Sequence, residues 1–360
     1  MSGLILLTAG GTGGHVFPAE ALAHELTRRG HRLALVTDRR GAGFSGIESY
    51  PISGGGIAGK GMLERVRSMA GLVRGYLQAR SLIKRLRPAA VIGFGGYASV
   101  PAVLAASRAG IPTAVHEQNA VLGRANRLLA PAVSRIATCY AEVAKIKAGW
   151  KEKVRLTGMP VRPAILARRG QPYPDPAGRL SLLVVGGSQG ARVFSDVVPA
   201  ALLRVSPELR ARLSVTQQCR PEDVERVERL YAEHGVAATI KTFFDDMPAL
   251  LSAAHLVICR CGASTMGELA AIGRPAILVP YMHAIDDHQT ANAAAFAAQG
   301  GGWLIAQSGL GAENLAVELQ ALLSAPEKLR IAAQAAHAAG VPDAAERLAD
   351  LVLGLAEGRK

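Results

Sequence analysis

Several polar residues stand where a catalytic group is expected, directly after short apolar runs. His15 closes the segment Gly10–His15 (GGTGGH), which follows the apolar run Leu4–Leu7. A neutral imidazole at a helix start can take a proton from a hydroxyl, which is general-base chemistry. The plainer alternative is a helix-start histidine bonded to backbone. His116–Asn119 (HEQN) follows the apolar residues Pro112–Val115 and reads as four polar groups beyond a buried strand, available for function or for capping the next helix. Arg260–Glu268 (RCGASTMGE) follows Leu256–Cys259. Ser264 or Thr265 can cap a helix there whose N–H groups face a phosphate, and Glu268 in its first turn can hold two vicinal ribose hydroxyls or complement the helix dipole. Tyr281–Asn292 (YMHAIDDHQTAN) is rich in groups suited to sugar hydroxyls. Cys259, Cys261, His283 and His288 match no usual zinc spacing. No Asp-x-Asp ends a strand of the first half, so metal-independent chemistry without a cofactor is expected.

Three glycine-rich turns accompany these groups: Gly10–Gly14, Gly93–Tyr97 (GFGGY) and Gly186–Ala191 (GGSQGA). Glycine permits a tight turn and close approach to a phosphate, and a helix behind it adds free N–H groups. One such turn is weak evidence; three in this context favour phosphate or pyrophosphate. The dinucleotide fingerprint fits poorly, since Val16 stands where the third glycine belongs, although Asp38 can mimic the ribose-binding acid. A nicotinamide oxidoreductase therefore stays open as an alternative. Gly54–Gly61 (GGGIAGKG) nearly matches a P-loop, but Gly61 replaces the Ser/Thr that would hold magnesium, so it reads as a basic loop.

These groups need strands that end beside them. Leu4–Thr8, Arg32–Thr37, Ala89–Ile92, Pro112–Val115 and Ser134–Thr138 read as buried strands, with helices such as Val16–Arg29, Ser99–Ala109 and Leu122–Leu129 between them. The rhythm restarts with Leu180–Val185, Leu213–Thr216, Ala238–Lys241, Leu256–Cys259 and Ala276–Val279. Strand–helix alternation predicts α/β architecture with two doubly wound parallel sheets, and ligands at the carboxyl ends of the strands. The composition agrees: 360 residues with 49% hydrophobic and 19% charged residues suit two buried cores and exclude a disordered chain. Four scattered cysteines argue for a reducing compartment. No secretory signal is expected from a start whose only apolar run is Leu4–Leu7. The uncharged window Pro88–Ser107 has the length of a membrane span, but Pro88, Gly93, Gly95, Gly96 and Pro101 break it.

Together the motifs GGTGGHVFPA, GFGGYASVP, HEQNAVLGRAN, TGMPVR, GGSQGA and GELAAIGRPAILVPY occur in one order across residues 9–281. In this the chain resembles the MurG family, the bacterial UDP-N-acetylglucosamine–lipid I transferases of peptidoglycan synthesis. The resemblance implies a GT-B fold, two Rossmann-like domains facing a cleft. It places an acceptor domain at 1–161, joined by the C-terminal helix 341–360, and a UDP-GlcNAc-binding domain at 162–340. It implies inverting transfer of GlcNAc from UDP-GlcNAc to the C4 hydroxyl of MurNAc in undecaprenyl-pyrophosphoryl-MurNAc-pentapeptide. His15 would be the base. Thr12, Gly13, Gly14 and Asn119 would contact the donor sugar; Arg162 and Ser188 the diphosphate; Phe244 the uracil through backbone. Ala263, Ser264, Thr265 and Met266 would offer N–H groups to the α-phosphate, Glu268 would hold the ribose and Gln289 the sugar. Gly10, Gly11, Gly95, Gly96 and Tyr97 would cradle the acceptor's pyrophosphate. Met159 replaces a usual Asn and His288 a common Gln, which puts the polar roles of those two positions in doubt. Another GT-B transferase, such as one acting on diacylglycerol, remains the nearest alternative.

The charge then acquires a use. Residues 1–160 hold 22 Lys and Arg against 8 Asp and Glu, while 161–360 hold 19 against 20. Eight of the basic residues fall between Lys60 and Arg87, interleaved with Val66, Met69, Val73, Tyr76 and Leu77 at helical spacing. This is either a core-facing helix with a solvated basic face or an interfacial segment on anionic lipid. The lipid-linked acceptor favours a peripheral enzyme on the cytoplasmic face of the membrane, with cell-wall assembly proteins as possible partners. Aromatics at 4% and the lack of a binding motif argue against nucleic acid.

Overall fold

The computed structural model describes residues 3–10, 13–38, 43–53, 62–97, 99–187 and 190–358, with backbone alone for 62–68. The chain divides into two compact units, Met1–Arg162 with Pro342–Lys360, and Pro163–Val341.

The first unit runs β1 (Ile5–Thr8), α1 (Gly13–Arg28), β2 (Leu33–Thr37), β3 (Glu48–Pro51), α2 (Met62–Leu86), β4 (Ala90–Gly93), α3 (Ser99–Arg108), β5 (Thr113–Glu117), α4 (Arg124–Leu129), β6 (Arg135–Thr138) and β7 (Val154–Leu156). Its sheet is parallel throughout, in the order β3-β2-β1-β4-β5-β6-β7. Both faces of the central strands are covered, which is why those strands read as unbroken apolar runs. On β1, Leu6 joins a core with Ala79, Ile83, Val103 and Leu129 from α2, α3 and α4. Its neighbours Ile5 and Leu7 join the opposite core with Leu22 and Leu26 of α1.

The second unit runs α5 (Pro163–Leu166), β8 (Leu180–Val185), α6 (Arg192–Leu202), α7 (Pro207–Arg212), β9 (Leu213–Gln218), α8 (Val224–Glu233), β10 (Ala237–Lys241), α9 (Met247–Ala253), β11 (Leu256–Cys259), α10 (Ala263–Ile272), β12 (Ala276–Leu278), α11 (His288–Ala298), β13 (Gly302–Leu304), α12 (Ala312–Leu323) and α13 (Pro326–Ala339). Its parallel sheet is ordered β10-β9-β8-β11-β12-β13. The last helix, α14 (Ala344–Ala356), returns to the first unit, where Leu348, Ala349 and Val352 complete the α1 core. Arg29 ties it there, reaching both Glu25 and Asp350 at 2.5 Å.

Three strands were not expected from the sequence: β3, β7 and β13. All three are edge strands. An edge strand packs fewer neighbours and so carries no apolar run: β3 reads ESYP and β7, VRL, is largely exposed. The basic helix α2 also resolves one ambiguity. Its core face is Gly75, Ala79, Leu82 and Ile83, while Met69, Val73 and Leu77 are 56%, 56% and 57% exposed. Tyr76 is half-buried under the Arg108 guanidinium. Among the described residues, no helix is long and apolar enough to cross a membrane.

In each sheet the strand order reverses between two central strands, β1 and β4 in the first and β8 and β11 in the second. Ligands of open parallel sheets bind at the carboxyl ends of such strand pairs. Gly10–His15 follows β1, Gly93–Tyr97 ends β4, Gly186–Ala191 follows β8 and Arg260–Glu268 follows β11.

Candidate active site

In the first unit the site is built around His15, the third residue of α1. Its half-buried imidazole lies against the Gly95–Gly96 turn. Both glycines are left-handed, with φ of 90° and 71°. A Cβ on Gly95 would stand 3.1 Å from His15 Cε1 and 3.3 Å from Nδ1, and one on Gly96 would stand 3.3 Å from the Gly10 carbonyl. Only glycine satisfies both the dihedrals and the ring contact. The turn thus holds the imidazole. Gly10 is buried, Tyr97 is half-buried, and Gly11 and Thr12 lie outside the described residues.

Behind His15 lies a buried polar chain. His15 Nδ1 is 3.1 Å from Gln118 Oε1. Gln118 Nε2 sits 3.0 Å from each of three acceptors: the Phe94 carbonyl, the His116 carbonyl and His116 Nδ1. His116 Nε2 in turn faces the Gly158 carbonyl at 3.4 Å. Complete burial pushes the His116 pKa down to about 4, outweighing that carbonyl contact, so its ring is neutral at ordinary pH. The Cys139 thiol, its pKa pushed up by burial, lies 3.3 Å from Gly158 O, 3.5 Å from Met159 Sδ and 3.5 Å from His116 Nε2. Met159, the departure from the usual Asn, therefore meets a sulfur partner.

This corrects the picture of HEQN as four groups beyond a strand. His116 and Glu117 belong to β5, and His116, Glu117 and Gln118 are all buried. Glu117 organises the following loop. Its Oε1 accepts from Asn119 N (3.0 Å) and Nδ2 (3.1 Å), and its Oε2 from Gly123 N and Asn126 Nδ2, both at 2.8 Å. Asn119 alone of the four is half-exposed. Arg162, the last residue of this unit's main segment, stacks its guanidinium 4.3 Å from the centre of the Phe17 ring on α1. That ring also blocks any Cβ on Gly13, at 2.9 Å. Gly14 is half-buried on the same first turn.

In the second unit, Gly186 admits no side chain: a Cβ would stand 2.3 Å from Ala191 N. Gly187 and Gly190 turn the chain with φ of 83° and 66°, and Ser188 lies outside the described residues. The next turn opens α10. Its N-cap is Gly262, with no side-chain cap, so neither Ser264 nor Thr265 caps the helix as expected. The Met266 N–H donates to Gly262 O at 3.1 Å, which corrects its expected role. The orphan amides of this helix start belong to Ala263, Ser264 and Thr265. Among the described residues Ser264 Oγ is buried without a hydrogen-bond partner. Glu268 sits in the second turn, not the first, and is buried.

Gln289, second residue of α11, links two strand ends. Its Oε1 accepts from Cys261 N at 3.2 Å and Tyr281 N at 2.9 Å, so its amide NH₂ is turned away as a donor. The preceding loop is strained: Asp286 and Asp287, neither glycine, have φ of 56° and 54°. Thr290 Oγ1 on Asp287 (2.6 Å) and His288 Nδ1 on the Ile285 carbonyl (2.8 Å) hold it. Phe244 is buried, whereas its neighbour Phe243 is 67% exposed. Among the described residues no three His, Cys, Asp or Glu side chains gather as metal ligands would.

Two arginines and one glutamine were given no individual role from the sequence. Arg260 directly follows β11 with its guanidinium near the Phe194 and Tyr281 rings (5.1 and 5.5 Å), and burial lowers its pKa. Its position after a central strand was the available signal. Arg220 carries its Cγ 3.1 Å from where a Gly190 Cβ would be, and Gln118 lies inside HEQN. HEQN was the available signal for Gln118, and no local pattern marks Arg220.

Two Rossmann-like units with glycine turns at their strand ends, and a histidine in the first, have the architecture of the GT-B glycosyltransferases. Residues 5–138 match the glycosyltransferase family 28 N-terminal domain and residues 181–348 the family 28 C-terminal domain; the chain belongs to this family. It is 58% identical, over 98% of its length and 96% of the relative's, to the UDP-N-acetylglucosamine--N-acetylmuramyl-(pentapeptide) pyrophosphoryl-undecaprenol N-acetylglucosamine transferase of Paramagnetospirillum magneticum. The similarly named enzyme of Rhodospirillum rubrum is 57% identical over 99% of this chain and 92% of its own. Among solved structures, MurG of Acinetobacter baumannii superposes with a TM-score of 0.78 at 31% identity, over 97% of this chain and 99% of that one.

Proposed function

We propose that this protein transfers N-acetylglucosamine, with inversion, from UDP-N-acetylglucosamine to the C4 hydroxyl of MurNAc in undecaprenyl-pyrophosphoryl-MurNAc-pentapeptide, converting lipid I to lipid II. The observation that carries this reading is the 58% identity, across nearly the whole chain, to an enzyme named for that reaction. In the reaction the C4 oxygen attacks C1 of the donor sugar. The bond from C1 to the diphosphate oxygen breaks, its electron pair leaves with UDP, and the hydroxyl proton passes to His15. A positioned base contributes on the order of 10²–10⁴-fold. Charge growing on the diphosphate is met by the amides of Ala263–Thr265 and by Arg162, with Thr12 and Ser188 as further donor contacts. Glu268 holds the ribose, Gln289 and Asn119 the sugar, and the backbone of Phe244 the uracil. Gly10, Gly11, Gly95, Gly96 and Tyr97 face the acceptor's pyrophosphate. The first unit is the acceptor domain and the second the donor domain. Turnover with a lipid I analogue tests this: His15→Ala should lose it while UDP affinity stays, and full turnover would remove His15 as the base.

The membrane reading belongs to the same proposal. Met69, Val73 and Leu77 stand exposed on α2 beside the exposed Arg74, Arg80, Lys84 and Arg85. An apolar stripe flanked by basic residues suits the anionic cytoplasmic leaflet, where each Lys or Arg near the surface contributes about 1 kcal/mol. Lys60, also in this basic segment, lies outside the described residues. Co-sedimentation with vesicles should rise with anionic lipid and fall with salt; insensitivity to both would refute peripheral binding through this helix.

A further inference from the structure

We propose that Gln118 is a positioning residue that fixes the tautomer of His15, holding the ring proton on Nδ1 and leaving the lone pair on Nε2 for the acceptor hydroxyl. This rests on the reading of His15 as the base and adds what that reading leaves open: how the imidazole is kept able to accept at the right nitrogen.

The Gly158 carbonyl lies 3.4 Å from His116 Nε2, and a carbonyl only accepts. With its proton on Nε2 a neutral His116 satisfies that carbonyl and presents a bare Nδ1, and Cys139 Sγ, 3.5 Å from the same Nε2, lies beside it. Gln118 Nε2 stands 3.0 Å from that bare nitrogen and from two carbonyls, of Phe94 and His116. Two of these neighbours are backbone carbonyls, which accept whatever the tautomer of His116, so the amide has one orientation: NH₂ inward, Oε1 toward His15. Reversing it would set an oxygen against the lone pairs of two backbone carbonyls in a fully buried place and remove the Gln118 donor from the Phe94 carbonyl. With Oε1 facing it at 3.1 Å, His15 Nδ1 can only donate. The remaining nitrogen, Nε2, holds the lone pair.

The Gly95–Gly96 turn holds the same ring from its side, with Cε1 and Nδ1 closest to Gly95 and Nε2 further out, 3.9 Å from a Gly96 Cβ position. When Nε2 takes the hydroxyl proton, the imidazolium keeps its Nδ1–H on a neutral amide oxygen. That oxygen stabilises the cation without removing the proton, so the proton leaves again from Nε2. Gln118 itself need not touch substrate.

The test combines a spectrum with kinetics. Wild-type protein labelled with ¹⁵N-histidine should show His15 with a protonated Nδ1 and an unprotonated Nε2. A protonated Nε2 in the neutral ring would overturn the proposal, whatever any variant does. Gln118→Met keeps the volume but neither donates nor accepts. It should mix the His15 tautomers and lower kcat about 10- to 100-fold, the usual effect of losing such an outer partner, with KM for UDP-GlcNAc unchanged. His15→Ala is measured alongside. Loss of turnover there with an unchanged kcat in Gln118→Met overturns the positioning role alone. Unchanged turnover in His15→Ala overturns the base reading. Should Gln118→Met fail to fold, the wild-type spectrum still decides.

Discussion

Gly95→Ala separates the two tasks of the glycine turn. The substitution carries a conformational cost and a contact cost. At φ of 90° an alanine is strained by roughly 1–2 kcal/mol, at the upper end because the angle lies beyond the left-handed well. For a unit of this size that corresponds to a fall of about 2–8 °C in Tm. The contact cost falls on His15: the new methyl would sit 3.1 Å from Cε1, so the ring must give way by a few tenths of an ångström. Misplacement by about 1 Å can cost 10²-fold in rate, so a smaller shift predicts roughly a 10-fold fall in kcat. Gly110→Ala is the control. Its φ is 74° and nothing lies within 4 Å of the Cβ position, so it carries strain without contact. Thermal unfolding and steady-state turnover on a lipid I analogue would be compared for both. Both variants should lose stability, and only Gly95→Ala should lose turnover. Equal kcat values in the two would refute the idea that the turn positions the imidazole.

Two other outcomes are expected. Glu268→Ala should weaken UDP by about 2–3 kcal/mol if the buried carboxylate holds both ribose hydroxyls, and an unchanged Kd by calorimetry would remove that role. Burial holds the His116 pKa at about 4 against an ordinary 6.5, so the unfolded chain binds the extra proton between those values; its stabilising share is complete above pH 6.5 and falls as pH drops toward 4, by about 2 kcal/mol at pH 5. Urea titrations should therefore show a steeper loss between pH 7 and 5 in wild type than in His116→Gln, and equal slopes would refute the assignment.

Much of the fold was legible because parallel strands covered on both faces must be apolar throughout. Runs such as LLVV in β8 and LVIC in β11 announce themselves. The three strands not expected lie at sheet edges, where the same physics removes the signal. The glycine turns were legible for a related reason. Gly95 and Gly96 need positive φ, and Gly186 faces backbone at 2.3 Å. What a turn packs against is a different matter. The sequence shows that GFGGY and GGTGGH both end strands, but not that the histidine of one lies on the glycines of the other.

The HEQN segment shows where local reading ends. A polar residue at a strand end can face outward to a ligand or inward to a network, and its type does not decide which. The choice depends on what stands opposite. For Gln118 that is the Phe94 carbonyl, 24 residues away; for His116 it is the Gly158 carbonyl, 42 residues away; and His15 lies 103 residues from Gln118. Each partner sits on a different strand end of one sheet, brought together only by the strand order β1-β4-β5-β6-β7. Burying such a chain is worthwhile only when every member is satisfied, since a half-satisfied network costs more than an apolar core. The Phe94 and His116 carbonyls fix the amide of Gln118, and through it the ring proton of His15. Substitution anywhere along that chain should therefore be felt at His15, which is why a base at the surface of the sheet depends on a carbonyl four strands away.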